Sequence, residues 1–457
     1  MPLLQACTSH FRSIAFYPAE RSVVLTRWTR MLPMFVVQAY LAVSVLVFVI
    51  GPWDYPPFNS VLLYGFVGCA HLFLLLGYLS AAFKAPARYR WRFQIQHLTL
   101  AAVAVTFLLI FPTSYFRTGH LFPDVLTGLA NPGLAYNISY TFRLGSSPGA
   151  EYVRIGAGPL IGLCLPLVVV YWNRLSRTLR TLGVATIGLN LGLFVAMGTN
   201  KALADAFLTL PALLLVRYLA GDFQMKWLKK AFVVGTLLVA AFLLYQFFSN
   251  GMATRSGSAA AYGYIPSARV RANYSHPWLS VGDERVRAGV LGIALYLSGG
   301  YYGLAMALEQ PFVPMYGVGN SIFLARQAGR LLNDESIALQ SYPERVQQQT
   351  GWNAYGLWAT IYPWIASDVS FVGVLVVVFL VGRLFAQSWL DSLTLRNPFA
   401  IGIFAQFIIM LFYFNANNQC LQDGEGVSTF WALLILWRFS RTVGRRGAGA
   451  RVMRNAA

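Results

Sequence analysis

The chain has 457 residues, 57% of them hydrophobic and only 11% charged, and its 35 Lys+Arg against 16 Asp+Glu give a net charge of +19. A soluble globular chain carries about a quarter charged residues, so this composition excludes a water-covered surface, and with it intrinsic disorder and a plain nucleic-acid-binding domain. The apolar residues gather in stretches of the roughly 20 residues that a bilayer-crossing helix needs. The chain therefore reads as a single integral membrane domain over 1–457, all-α and polytopic, with about 10 (10–12) transmembrane helices.

In chain order, spans are expected at 31–50, 61–83, 98–113, 153–171, 182–197, 202–219, 231–248, 357–381 and 399–414, with a shorter last one at 428–439. Residues 1–30 are mixed and basic rather than a signal peptide. Basic residues then alternate along the loops. Arg12, Arg21, Arg27 and Arg30 precede the first span, and 51–60 has none. Lys84 to Arg92, Arg174 to Arg180 and Arg217 to Lys230 are basic, as is the C-terminus from Arg438 to Arg454. Cytoplasmic loops carry the excess of Lys and Arg, so both termini are placed in the cytoplasm, which requires an even number of crossings. One apolar segment, 288–308, is left over. Its Leu297-Ser-Gly-Gly-Tyr-Tyr-Gly303 centre is a poor helix interior, since each glycine costs roughly 1 kcal/mol against alanine. It is expected to be re-entrant or broken, entering and returning on the outer side beside a site; the alternative is a true crossing with 357–381 split at Pro363.

This topology leaves outer, periplasm-facing loops at 114–152, 250–287, 309–356 and 415–427, which form the expected site. The first holds Arg117, Arg143 and, at its edge, Arg154. The second holds Arg255, Arg269, Arg271, Arg285 and Arg287 against Asp283 and Glu284, an outer charge of the wrong sign for the positive-inside bias. In an extended chain Arg269 and Arg271, and likewise Arg285 and Arg287, share a side, and guanidinium grips phosphate bidentately. Salt bridges and headgroup contacts are the plainer reading. Lys201, in a very short outer turn, is functional by default at membrane depth, or else the helix-start partner of Asp205. Glu309, Asp368, Asp423 and Glu425 are the outer acids, each a candidate general base or a counter-ion. Tyr296, Tyr301, Tyr302, Tyr316, Trp352, Tyr355 and Trp358 surround the third loop, with Asn320, Gln347 and Asn353 as amides. Interfacial belts enrich such aromatics, and sugars are also held by them. His276 is a lone loop histidine. Of the cysteines, Cys69 and Cys164 lie in apolar spans and Cys7 and Cys420 do not, so neither a disulfide framework nor a metal spacing exists. No metal and no cofactor are expected.

The layout resembles the Wzy-type oligosaccharide repeat-unit (O-antigen) polymerases. The segments that carry the resemblance are Gly198-Thr-Asn-Lys-Ala-Leu-Ala-Asp-Ala-Phe207, Tyr296-Leu-Ser-Gly-Gly-Tyr-Tyr-Gly303, Met315-Tyr-Gly-Val-Gly-Asn-Ser321 and Asn353 through Asp368-Val-Ser-Phe-Val-Gly373. The family's arginine-x10-glycine pattern fits Arg117…Gly128 and Arg271…Gly282, while Lys201 stands where related chains often have arginine. The resemblance implies a multi-span glycosyltransferase (GT-C-like) fold without a required metal, in a bacterial inner membrane. It implies transfer of a growing glycan from an isoprenoid pyrophosphate onto a lipid-linked repeat unit on the outer leaflet, beside a chain-length regulator and a flippase of the same pathway. On that reading Glu309, Arg271 and Arg287 are catalytic, and Arg143, Arg154, Lys201, Arg269, Arg285, Tyr301, Tyr302 and Asn353 bind pyrophosphate and sugar. A lipid-linked glycan ligase differs only in the acceptor. A flippase for the same anionic lipids is the rival of another class, although no matched pair of helix breaks in equivalent halves is present.

Overall fold

The structure, a computed structural model, describes residues 25–84, 88–89, 94–145, 148–223, 226–255, 263–280 and 282–442. The tail arginines Arg12, Arg21 and Arg445 to Arg454, and the side chains of Arg143 and Arg255, lie outside the described residues.

Among the described residues sixteen helices follow the hydropathy pattern, and half of them start where a polar side chain satisfies a free N–H group of the first turn. In chain order these are α1 (Arg27–Ile50, capped by Thr26), α2 (Ser60–Ala82, capped by Asn59), α3 (Ile95–Thr118), α4 (Val125–Ala130, capped by Asp124), α5 (Pro132–Gly145) and α6 (Pro148–Val170). Next come α7 (Arg177–Ala196, capped by Ser176), α8 (Lys201–Leu219), α9 (Trp227–Arg255) and α10 (Glu284–Leu308, capped by Asp283). The short α11 (Ile322–Leu332), α12 (Ser336–Leu339) and α13 (Tyr342–Thr350) precede α14 (Tyr362–Thr394), α15 (Pro398–Phe412, capped by Asn397) and α16 (Gly424–Ser440, capped by Asp423). Among the described residues nine helices are long and apolar enough to cross a membrane. Val36, Val43, Leu46, Val61, Leu108 and Val234 stand exposed on them, the surface a lipid-facing bundle presents.

Two small sheets mark the ends of the bundle. At the loop-rich end β1 (Trp53–Asp54), β4 (Val270–Ala272) and β3 (Tyr264–Ile265) form an antiparallel sheet in that order, with Asp54 opposite Arg271. At the other end β2 (Arg88–Tyr89) pairs with β5 (Arg441–Thr442). The Arg30 guanidinium donates to the Ala82 carbonyl there at 2.8 Å, so both described termini emerge at the β2–β5 end.

The core is the seam between α2 and α14. A Cβ added at Gly77 would collide with the Phe379 carbonyl oxygen, and one at Gly382 with that of Leu74, so the two backbones touch through reciprocal glycines. Trp389, Phe385 and Phe404 continue this packing onto α15.

Two expectations are corrected. The segment 288–308 is not broken. It is the continuous, largely buried helix α10, and its glycines serve packing: a side chain at Gly300 would strike the Asn415 carbonyl, and one at Gly303 that of Trp358. Nor is 357–381 split at Pro363, which sits in the first turn of α14. The strained backbone lies instead in the chain packed on α10, where Trp358 (φ 65), Thr360 (φ 64) and, inside α14, Ser370 (φ 62) take positive φ. Such residues cost roughly 1–3 kcal/mol each and persist only where the surroundings over-determine them. Here Thr360 N and Ile361 N are tied to the carbonyls of Ala416 and Phe414 at 2.8 and 3.0 Å. Helix α10 is itself one of the nine candidate spans, 25 residues long. Trp53 Nε1 bonds Leu291 O (3.1 Å) near its start, and just past its last residue Gln310 Nε2 bonds Gln349 Oε1 (3.0 Å). Its middle holds Tyr55 through Ser298 (3.3 Å) and Ser44 through Tyr301 (2.8 Å).

The second correction concerns 415–427, expected as an outer loop. Helix α15 has 15 residues, about 22 Å of rise against a hydrocarbon core of roughly 30 Å. Its end is met by Tyr40, halfway along α1, whose hydroxyl donates to Phe412 O at 2.8 Å. Residues 413–421 therefore turn inside the bundle, and Asn415, Asn417 and Asn418 are 1%, 4% and 1% exposed.

Candidate functional site

The sunken turn brings polar groups to the foot of α8. Lys201 opens that helix and its Nζ donates to Asp205 Oδ2 at 2.8 Å, the i,i+4 pairing foreseen for it. Asp423, Tyr413 and Cys420 from the turn lie within electrostatic reach of this pair. The Lys201 side chain remains 42% exposed beside these groups. Helix α8 shares this character. It packs against α6, α7, α9, α14 and α15, but only Thr209, Leu213 and Val216 along it are buried. Two buried amide oxygens, Asn200 Oδ1 beside Lys201 and Asn418 Oδ1 in the turn, accept no hydrogen bond among the described residues. A buried acceptor left unpaired costs about 1–3 kcal/mol, so a donor brought by a ligand is favoured here.

Arg154 lies on α6, which packs against α8. It grips Glu425 at both carboxylate oxygens (Nε–Oε2 2.7 Å, Nη2–Oε1 3.0 Å) and gives its third nitrogen to Thr113 Oγ1 at 3.0 Å. Such a charge-assisted bidentate pair stays rigid. An Arg154→Ala, Glu425→Ala double-mutant cycle read by thermal unfolding in detergent is expected to show a coupling of about 1.5–3 kcal/mol; a coupling near zero would mean that the pair does not hold α6 to α16.

The other expected site residues are placed as follows. Arg271 lies exposed on β4 with its guanidinium 5.1 Å from the Tyr264 ring centre, and Arg269 precedes it in a left-handed turn (φ 55), so the two do not share an extended run. Arg285 and Arg287 are exposed in the first turn of α10, where residues two apart point about 200° apart rather than to one side. Glu309 caps the far end of α10, exposed, about 33 Å along the helix from Arg287; the structure does not bring that acid to those arginines. Tyr301 and Tyr302 are core residues, 2% and 6% exposed, the second stacked on Tyr55 at 5.2 Å. Asn353 caps its own loop through Tyr355 N (2.8 Å) and Gly356 N (2.9 Å). Arg154 and Lys201 alone, of the expected residues with described side chains, belong to the polar cluster around the turn.

Asp368 proves to be an organiser of the loops. Its carboxylate accepts from the backbone N–H groups of Gly317, Gly319 and Asn320 (2.8, 2.8 and 2.9 Å) and from Asn320 Nδ2 (2.8 Å), joining the 315–321 and 368–373 segments. Asn418 Nδ2 then donates to Asn320 O at 2.6 Å, which links this knot to the turn. The burial of Asn418 and the approach of Asp423 to Lys201 were not foreseen, because neither residue is near Lys201 in sequence. The available signal was the Asn-Ala-Asn-Asn-Gln run after an unusually short apolar span.

Glu344 on α13 is a second buried acid, 2% exposed, to which the Tyr355 hydroxyl donates. Burial raises its pKa above the ordinary glutamate value, opposed by the Arg326 guanidinium. The folded state thus favours the neutral carboxyl. Its contribution to stability is full below about pH 4.3 and is lost as pH rises through the raised folded value. Glu344→Gln should remove this slope, so the stability advantage of the variant in thermal melts is expected to widen from pH 5 to pH 8. A gap that stays constant with pH would show that Glu344 is not held neutral.

Among the described residues no group of three or more His, Cys, Asp or Glu is arranged to hold a metal ion. Comparison of the chain with known protein families, with characterised proteins and with solved structures gives no match in any of the three.

Proposed function

We propose that this chain is a membrane glycosyltransferase of the Wzy kind, extending a glycan carried on an isoprenoid pyrophosphate at the outer face of a bacterial inner membrane, with both termini in the cytoplasm. The observation that carries the reading is Lys201, held by Asp205 where α8 meets the turn after α15, a place the proposed topology puts at membrane depth, with the buried amide oxygens of Asn200 and Asn418 unsatisfied among the described residues. A cation at that depth is costly and is retained for function. A pyrophosphate at the end of a lipid is the anion that reaches such a depth from the side, and sugar hydroxyls are the donors that Asn200 and Asn418 lack.

In the proposed reaction the acceptor sugar hydroxyl attacks the anomeric carbon of the donor glycan. The new C–O bond forms as the bond to pyrophosphate breaks, and the lipid pyrophosphate departs with the electron pair. Lys201 neutralises the charge that develops on it, the usual large electrostatic contribution to such a step. The hydroxyl proton passes to a carboxylate near Lys201, for which Asp423 takes the place expected of Glu309. Arg269, Arg271, Arg285 and Arg287 act earlier, as exposed cations that draw the anionic lipid headgroup toward the loop-rich end.

The test is the purified protein reconstituted with a lipid-linked repeat unit. A ladder of longer lipid-linked products is expected. Translocation of a labelled lipid-linked oligosaccharide without elongation would overturn the transferase reading in favour of a flippase, and transfer to an unrelated acceptor lipid without a ladder would favour a ligase.

A further inference from the structure

At the β2–β5 end two guanidiniums share one carboxylate and a third lies in reach of them. Arg383, Gln387 and Asp391 are four residues apart on one face of α14, and Trp437, Arg438 and Arg441 approach them from the end of α16 and from β5. Arg441 Nε donates to Asp391 Oδ2 at 2.8 Å, and the Trp437 indole donates to the same oxygen at 3.0 Å. Arg438 and Arg441 both donate to Gln387 Oε1, at 3.0 and 3.4 Å. Arg383 donates to Ser80 Oγ at 3.3 Å and lies within electrostatic reach of Arg438. Asp391 is wholly buried and hydrogen-bonded to Arg441, so the one carboxylate within reach of Arg438 is already shared, and the hydrogen bonds that Arg383 and Arg438 make go to the neutral Ser80 and Gln387. Arginines that merely line a cytoplasmic loop would stand apart in water. Here two of them crowd one amide oxygen, with a third in range.

Exposed apolar surface leads into this point along both helices. On α14, Val372, Val376 and Leu380 form an exposed stripe, and Arg383 follows three residues later. On α16, Trp431, Ile435 and Phe439 do the same, with Arg438 three residues after Ile435. Both helices pack on α15. Greasy stripes ending in an excess of positive charge match an acyl chain that ends in a phosphate. We propose that Arg383 and Arg438 bind the phosphate diester of an anionic phospholipid, whose chains lie along the α14 and α16 stripes. Arginine suits this role through its fork of donors, and basic groups at such a rim attract anionic lipid. The site is at the opposite end of the bundle from Lys201 and does not depend on the chemistry proposed there.

The test uses the full-length chain, delipidated in a neutral detergent and titrated with phosphatidylglycerol, phosphatidylcholine or inorganic phosphate while thermal unfolding is followed. Phosphatidylglycerol is expected to raise the unfolding midpoint saturably, and the other two to leave it unchanged. Arg438→Gln, whose side chain is exposed, should weaken the apparent affinity for phosphatidylglycerol about fivefold, and the Arg383→Gln, Arg438→Gln pair by at least about tenfold. The corresponding pair of lysine substitutions should keep most of the effect. Wild-type affinity in Arg438→Gln would overturn the proposal, as would protection by inorganic phosphate equal to that by the lipid.

Discussion

Lys201→Met is expected to lower the rate of ladder formation by about 100-fold or more while the protein still folds, since the loss of one preorganised charge at a developing anion costs about 10²–10³ in rate. The substitution strands Asp205, which faces the turn from α8, so some stability is lost as well. The two effects are separable. Adding Asp205→Asn removes the stranded charge and should restore the unfolding midpoint without restoring turnover. Lys201→Arg, which keeps the charge with different geometry, should recover part of the rate. If the double variant elongates glycans normally, Lys201 serves only to neutralise Asp205, and the site proposed at α8 fails. In the same assay Glu309→Gln should elongate at close to the wild-type rate, because a continuous helix places Glu309 far from Arg287 and at a solvent-exposed cap.

Gly77→Ala and Gly382→Ala are each expected to destabilise the protein by about 2–3 kcal/mol. The atoms that a new methyl group would meet are backbone carbonyls, which cannot rotate away as a side chain would. Once α2 and α14 have been pushed apart by one methyl, the second meets less resistance, so the double variant should cost less than the sum of the two. Gly65→Ala and Gly68→Ala are the internal controls: they sit on the same helix α2, where an added Cβ meets nothing within 4 Å. Both should be neutral or, through helix propensity, slightly stabilising. Equal losses at all four glycines would point to a general intolerance of α2 rather than to backbone contact with α14.

The spans were legible in the sequence because lipid imposes a length and a composition on each helix independently of its neighbours. The i,i+4 pairing of Lys201 with Asp205 was legible for the same local reason. What hydropathy and propensity misjudged was α10. Glycine is costly in an isolated helix, yet at Gly300 and Gly303 it lets the backbones of 358–360 and 415–416 come within contact, and a close-packing glycine has the same letter as a helix breaker. Loop arginines were grouped by their spacing in an extended chain, but 285–287 became a helical turn once Asp283 capped it. The polar cluster was invisible for a different reason. Asp423 and Tyr413 reach Lys201 only after α15 stops short and its following turn stays inside the bundle, a tertiary event with no local signature beyond an apolar run five residues too brief.

The glycine seam also bears on how the chain is made. Gly77 and Gly382 are 382 − 77 = 305 residues apart, so at roughly 5–20 residues per second the ribosome takes about 15–60 s to deliver the partner of α2. Throughout that interval α2 resides in the bilayer with its contact groove open to lipid or to an insertase. The strand after it, β2, waits longer still, since its partner β5 follows α16. Assembly is therefore expected to include a late zippering of β2 with β5, and premature termination before α14 should yield a fragment that proteases clear rather than a smaller stable core.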